Sequence, residues 1–279
     1  MIGAPNQESA PAKINLALHV RERMPDGYHR LETLFVFAGE GDMLSVAAGD
    51  DLSLAIGGPF AAGLSAGEDN LVLRAAAALR AAAGIEGGAA LTLTKRLPIA
   101  SGIGGGSADA AAALRLLARV WGTDVDLMLI ARELGADVPA CLVGTPVRGQ
   151  GRGDALSPIP SIGLAGTPLL LLNPGVAMPT GPVFAGWDGI DRGPLQGGDP
   201  MRAALAGRND LEPSAIAMCP VIGELLGWLR VRVGVTLARM SGSGATCFAL
   251  FETIADRDDA AGEVARKWPK AWLMATTLS

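Results

Sequence analysis

From Ala12 to Val20 apolar and polar positions alternate, with Ile14, Leu16, Leu18 and Val20 on one face and Lys13, Asn15, Ala17 and His19 on the other. A period of two predicts a strand with one core face. Leu31 to Phe37 and Asp42 to Ala47 predict two further strands, joined by a turn at Gly39-Glu40-Gly41, and Leu52 to Ile56 a short fourth. Residues 1–10 carry no period and read as a loose terminus. The period then lengthens. Asp69 or Asn70 caps a helix that runs to about Ala83 and stops at Gly84. Leu91 to Lys95 alternates again, and Asp109 to Val120, free of Gly and Pro, predicts a second helix. A third covers Val125 to Leu134 and ends at Gly135; Pro139 then leads into a short apolar run, Ala140 to Val143, expected as a strand.

Glycine and proline cluster from Arg148 to Pro168, with a glycine-rich turn at Arg148–Asp154, so a domain boundary is expected near residue 155. Beyond it come a buried strand at Leu169–Leu172, a helix or helical turn at Met178–Phe184 and an irregular loop at 188–200. A helix start follows near Asp210 or Leu211, then a helix at Val221–Val231 and strands at Val235–Met240 and Thr246–Phe251. The chain closes with a helix at Ala255–Lys267 and a strand at Ala271–Thr276. The expected class is α/β (α+β), in two domains, 1–155 and 156–279.

Composition narrows the function classes. Of 279 residues, 49% are apolar and 18% charged, which argues against disorder. A net charge of -5 with 4% aromatics gives little support for a nucleic-acid surface. Cys141, Cys219 and Cys247 are odd in number and widely spaced, so neither a disulfide framework nor a zinc cluster follows, and a reducing compartment is expected. No signal core or run of about 20 apolar residues stands in the sequence, so the expectation is a cytoplasmic chain without a membrane partner.

One stretch carries the chemistry. Pro98 to Ala108 lies between a predicted strand and a predicted helix and contains Gly102, Gly104, Gly105 and Gly106, followed by Ser107. Glycines permit close backbone approach, and a helix start presents unpaired N–H groups with partial positive charge. Together they form an anion cradle, best suited to a phosphate chain. The P-loop pattern is absent, and the dinucleotide fingerprint fails at its third glycine, where Ser107 stands. A flexible turn ahead of an alanine-rich packed helix is the alternative. Elsewhere the alternatives also stay open. Lys13 and Asn15 share a strand face that is either functional or solvated. Tyr28 and His29 follow a Pro25-Asp26-Gly27 turn and either grip a flat ligand or pack a loop. Asp137 sits in a short loop between apolar elements, as a base or as a turn former. Ser241 to Ala245 either closes over a ligand or connects a hairpin. Taken together, an anion cradle, an early lysine and an aspartate in an apolar loop form a set suited to phosphoryl transfer.

The chain also resembles the GHMP kinases over most of its length. Pro11 to Leu16 matches that family's opening strand, and Asp26 to His29 with Leu31 to Phe35 its substrate-side segment. Pro98 to Ala112 resembles its ATP loop and Gly135 to Pro139 its catalytic loop; Asn209 to Glu212 and Met240 to Gly244 resemble its later motifs. The resemblance implies a two-domain fold, with an N-terminal domain resembling part of a ribosomal protein and a ferredoxin-like C-terminal domain. It implies ATP, as its Mg2+ complex, and the acceptor 4-diphosphocytidyl-2-C-methyl-D-erythritol, phosphorylated on its 2-hydroxyl in non-mevalonate isoprenoid precursor synthesis. Asp137 would act as base with Lys13 beside it. Gly102, Ile103, Gly104, Gly105, Gly106 and Ser107 would wrap the phosphates, with Pro98 in the same loop and Asn70 and Lys95 near the nucleotide. Tyr28 and His29 would hold the cytosine, helped by Phe35 and Phe184, while Asn15 and Thr180 would line the acceptor. No acid is assigned as a metal ligand, and a monomer or weak homodimer is implied. Ala108 replaces a serine common in the family, leaving Ser107 and the main chain for that contact.

Overall fold

The computed structural model describes residues 6–279. Contacts group the chain into two compact units. The first takes residues up to Ala12, Glu40–Ile99 and Gly104–Gly144; the second takes Lys13–Gly39, Ala100–Ile103 and Thr145–Ser279. Strands β1 (Gln7–Arg23) and β2 (His29–Gly49) pair with each other, and each contributes residues to both units. The loose terminus expected over residues 1–10 is thus a strand from Gln7 onward; residues 1–5 lie outside the described residues.

In the first unit, β2 continues straight through the turn expected at Gly39-Glu40-Gly41. Gly41 serves close approach here: a Cβ at that position would lie 2.0 Å from the Ala10 carbonyl oxygen. Met43–Gly49 of β2 pairs antiparallel with a later strand, which runs parallel to β3 (Leu52–Gly57). Helix α1 (Leu71–Ala83) starts at an Asn70 cap and ends at Gly84, whose φ is 62°. The later strand is β4 (Gly88–Thr94), and α2 (Gly105–Trp121) follows it. α1 packs on α2 through Val72, Ala75, Ala76 and Leu79 against the alanine stripe of α2, where small side chains allow close helix approach. α3 (Leu127–Leu134) and α4 (Val138–Val143) complete the unit.

The strand expected at Ala140–Val143 is the end of α4. Pro139 occupies the first turn of a helix, where its missing N–H is no loss, and four apolar residues are too few to reveal their period.

In the second unit, Leu31–Phe35 of β2 pairs antiparallel with β5 (Val147–Gly151), which pairs with β6 (Ala155–Pro158). The elements after these are β7 (Pro168–Asn173), α5 (Thr180–Ala185), α6 (Pro200–Ala206), α7 (Glu212–Met218) and α8 (Val221–Leu229). β8 (Val235–Met240), β9 (Cys247–Phe251), α9 (Ile254–Lys267) and β10 (Trp272–Thr277) end the chain. Helix α6 was not expected; Asp199 caps it by accepting from the Arg202 N–H, with Pro200 in its first turn. The four strands form an antiparallel sheet in the order β10-β7-β9-β8, and β7, α8, β8, β9, α9 and β10 give the ferredoxin-like succession of strands and helices. Its core includes Leu170, Leu172, Leu225, Leu226, Leu229, Phe251 and Val264.

Candidate active site

The glycine loop is divided between the units: Ala100–Ile103 belong to the second and Gly104 onward to the first. Helix α2 starts inside the predicted loop, so Gly105, Gly106 and Ser107 form its first turn. Gly104 adopts a left-handed backbone, φ 64°, and no side chain caps the helix. The free N–H groups of this turn suit an anion. Gly106 is exposed and helical, and a Cβ there would make only an ordinary 3.7 Å contact with Leu71. The fold therefore has no steric need of glycine at 106, although glycine costs helix stability. Glycine at 106 leaves that face of the turn open to close approach.

Beneath that turn lies a buried ion triad that sequence reading missed. Lys95 Nζ is 2.6 Å from Asp109 Oδ2 and 2.5 Å from Asp42 Oδ2, and all three side chains are almost fully buried. Asp42 Oδ1 also accepts from the main-chain N–H groups of Arg96 and Leu97. One ammonium balances one carboxylate, and the second is left in excess. Burial raises the Asp109 carboxyl to about 7, with Lys95 opposing and Asp42 adding to the rise. Burial alone would lower Lys95, but Asp109 and Asp42 together hold it above its ordinary value. The position of a Cβ on Gly105 would lie 3.0 Å from Lys95 Nζ, so this lysine supports the first turn of α2 from inside the protein. One signal for the triad was present: Asp109 is the single acid in the alanine-rich, Gly-free and Pro-free run 109–120 of α2.

Asn70 is likewise committed to structure. Its Oδ1 accepts from the Val72 N–H at 2.9 Å and its Nδ2 donates to the Ser65 carbonyl at 2.7 Å. Pro98 is buried. Asp137 stands half-buried at the N-terminal boundary of α4, in a helical backbone conformation, and its side chain does not cap that helix.

In the second unit, the strand bearing Lys13 is bonded to the start of the glycine loop. The Lys13 N–H donates to the Ile103 carbonyl at 3.0 Å. Lys13 Nζ donates to Asn15 Oδ1 at 2.8 Å and lies 5.1 Å from the Phe35 ring centroid. Asn15 Nδ2 donates to Thr33 Oγ1, which donates to the Ala17 carbonyl. The Asn15 N–H donates to Ser241 Oγ, and that hydroxyl donates to the Gly102 carbonyl at 3.0 Å. Lys13 is thus a buried cation in a fixed orientation. Gly102, with φ 78°, approaches the Ser241–Gly244 turn so closely that a Cβ would sit 2.4 Å from the Ser241 carbonyl oxygen. The second glycine turn connects β8 to β9 and also braces the first.

A ring cluster forms a second part of this unit. The His29 ring lies 5.1 Å from Phe184 and 5.7 Å, edge-on, from Trp187, which sequence reading did not single out. Burial, then the Arg23 guanidinium, lowers the His29 imidazole below its usual range, so it is neutral at pH 7. Tyr28 is 54% exposed, with the Arg152 guanidinium 4.0 Å from its ring centroid. Arg152 is itself paired with Asp26. Thr180 is exposed, its hydroxyl 3.2 Å from that of Ser243. Aromatic faces with a neutral imidazole edge suit a flat, polar heterocycle.

No helix is long and apolar enough to cross a membrane, and no trio of His, Cys, Asp or Glu is placed to hold a metal ion, both among the described residues.

Residues 70–145 match the family described as GHMP kinases N terminal domain, and residues 196–273 the one described as GHMP kinases C terminal. A 4-diphosphocytidyl-2-C-methyl-D-erythritol kinase of Rhizorhabdus wittichii is 56% identical, over 97% of this chain and 94% of that protein. One of Sphingopyxis alaskensis is 51% identical, over 99% and 100%. A crystal structure of a 4-(cytidine 5'-diphospho)-2C-methyl-D-erythritol kinase superposes with a TM-score of 0.79 at 37% identity, covering 98% of this chain and 99% of that one. A homoserine kinase of Cytophaga hutchinsonii, with a TM-score of 0.68 at 18% identity, shares the fold.

Proposed function

The chain belongs to the GHMP kinases, and we propose that it transfers the terminal phosphoryl group of ATP to the 2-hydroxyl of 4-diphosphocytidyl-2-C-methyl-D-erythritol, releasing ADP. The observation that carries this reading is the uncapped, glycine-lined start of α2 in the first unit; the ring cluster of the second unit, suited to a nucleobase, supports it. Near-full-length identity to kinases of that name supports the acceptor. Residues 1–155 form the ATP-binding domain in this reading, and 156–279 the C-terminal domain.

The main-chain N–H groups from Gly102 to Ser107 bind the phosphates, and Lys95 keeps their turn in place from below. Pro98 and Asn70 shape the nucleotide side. Tyr28, His29, Phe35 and Phe184 hold the cytosine, with Trp187 packed against the imidazole. Asn15 orients Lys13, and Thr180 contacts the acceptor. Asp137 accepts the proton of the 2-hydroxyl as its oxygen attacks phosphorus, and the Lys13 ammonium offsets the negative charge that develops there. Ser107, in the first turn of α2, would offer one hydroxyl to a magnesium ion carried in on the nucleotide. When bound, the ion neutralises phosphate charge. The enzyme works in the cytoplasm as a monomer or weak homodimer, without nucleic acid or membrane.

Asp137→Asn tests the assignment of the base. It is expected to keep its affinity for ATP and lose about 10²–10⁴-fold in kcat, the range for a general base. Turnover equal to wild type removes Asp137 from the mechanism.

A further inference from the structure

The second unit contains a cavity of about 380 Å³ lined by four guanidinium groups, those of Arg192, Arg208, Arg230 and Arg239. Asp210 and Glu212, from a motif that the kinase reaction leaves unused, also line it. Three of the arginines have carboxylate partners: Arg208 Nε is 2.7 Å from Asp210, Arg230 Nη2 is 2.6 Å from Glu212, and Arg192 pairs with Asp188. Arg239 has none among the described residues. It is 8% exposed, and its Nη1 and Nη2 donate to the carbonyls of Leu16, Ala204 and Gly207, which satisfy hydrogen bonds without neutralising charge. Burial accordingly lowers its guanidinium to about 10, Glu212 opposing and Arg230 adding.

The carboxylates at the cavity are each already paired with an arginine. Asp210 accepts from Arg208 and from the Val20 N–H; Glu212 accepts from Arg230 and from the Met240 N–H. Counting Asp188 outside the lining, four cations therefore meet three anions around a partly open cavity. A guanidinium fork matches a phosphate group in both charge and geometry. We propose that this cavity binds the phosphate or diphosphate group of a small molecule, through Arg192, Arg230 and Arg239, at a site separate from the one that performs the kinase reaction.

The test is titration calorimetry of inorganic diphosphate and of inorganic phosphate into the full chain, with the nucleotide site filled by a non-hydrolysable ATP analogue. Binding is expected to persist with that site filled. It should weaken at least about tenfold in Arg192→Gln and in Arg230→Gln, the loss of one charge-assisted contact. Neither variant should alter basal turnover, and the tighter of the two probes identifies the ligand as a monophosphate or a diphosphate. Arg239→Ala is avoided because it strips three main-chain bonds. Loss of all binding once the nucleotide site is filled, or an affinity unchanged in both glutamine variants, overturns the proposal.

Discussion

The ammonium of Lys95 lies 2.6 Å from the carboxylate of Asp109, one turn inside the helix that begins in the glycine loop. Asp42 lies on the other side of the same ammonium, and the two acids are not equivalent. Asp42 also holds two main-chain N–H groups, whereas Asp109 Oδ1 has no hydrogen-bond partner among the described residues. Asp42→Ala leaves Lys95 paired with Asp109 but strands two main-chain donors, and is expected to cost about 1–3 kcal/mol for each donor left buried and unpaired. Asp109→Asn mimics the protonated acid and should cost far less near pH 7. Thermal or urea unfolding checks both.

The same triad predicts a pH dependence. A carboxyl raised from 3.8 to about 7 binds its proton more tightly in the folded chain. Its contribution therefore favours folding most below pH 3.8 and declines as pH rises to about 7. Stability curves of wild type and Asp109→Asn should diverge in slope across that window. Parallel curves would show that Asp109 is ionised throughout.

Two glycines of the loop should respond in opposite ways. Gly106→Ala meets no obstacle and replaces glycine in a helix, so stability should hold or rise by up to about 1 kcal/mol while KM for ATP increases. Gly102→Ala forces a left-handed backbone and a clash with Ser241, and should lose at least about 2 kcal/mol. Unfolding curves with ATP kinetics on both variants separate a ligand contact from a packing need.

The His29 imidazole should take up its proton at a pH below the ordinary 6.5, because burial and Arg23 both disfavour its charged form. KM for the cytidyl acceptor is expected to rise as pH falls, with its midpoint below 6.5. A rise centred on 6.5 would mean that the imidazole is solvated.

Local pattern carried much of this, and its failures have physical causes. The Asn70 cap and the Gly84 stop were legible because caps act through neighbouring residues. Helix α4 was not, since its apolar run is shorter than two turns. Gly41 read as a turn because sequence cannot distinguish a glycine needed for φ from one needed for the close approach of Ala10. The resemblance places Lys95 near the nucleotide, and its two carboxylate partners were not legible because they stand 53 and 14 residues away. Trp187 was not singled out for the ring cluster, as no local pattern links it to His29, 158 residues earlier.

ADP release in the presence of MgATP, followed with 4-diphosphocytidyl-2-C-methyl-D-erythritol, homoserine and mevalonate as acceptors, tests the central claim. Turnover with the cytidyl compound alone, yielding its 2-phosphate, is the predicted result. Turnover with homoserine or mevalonate and none with the cytidyl compound would contradict it.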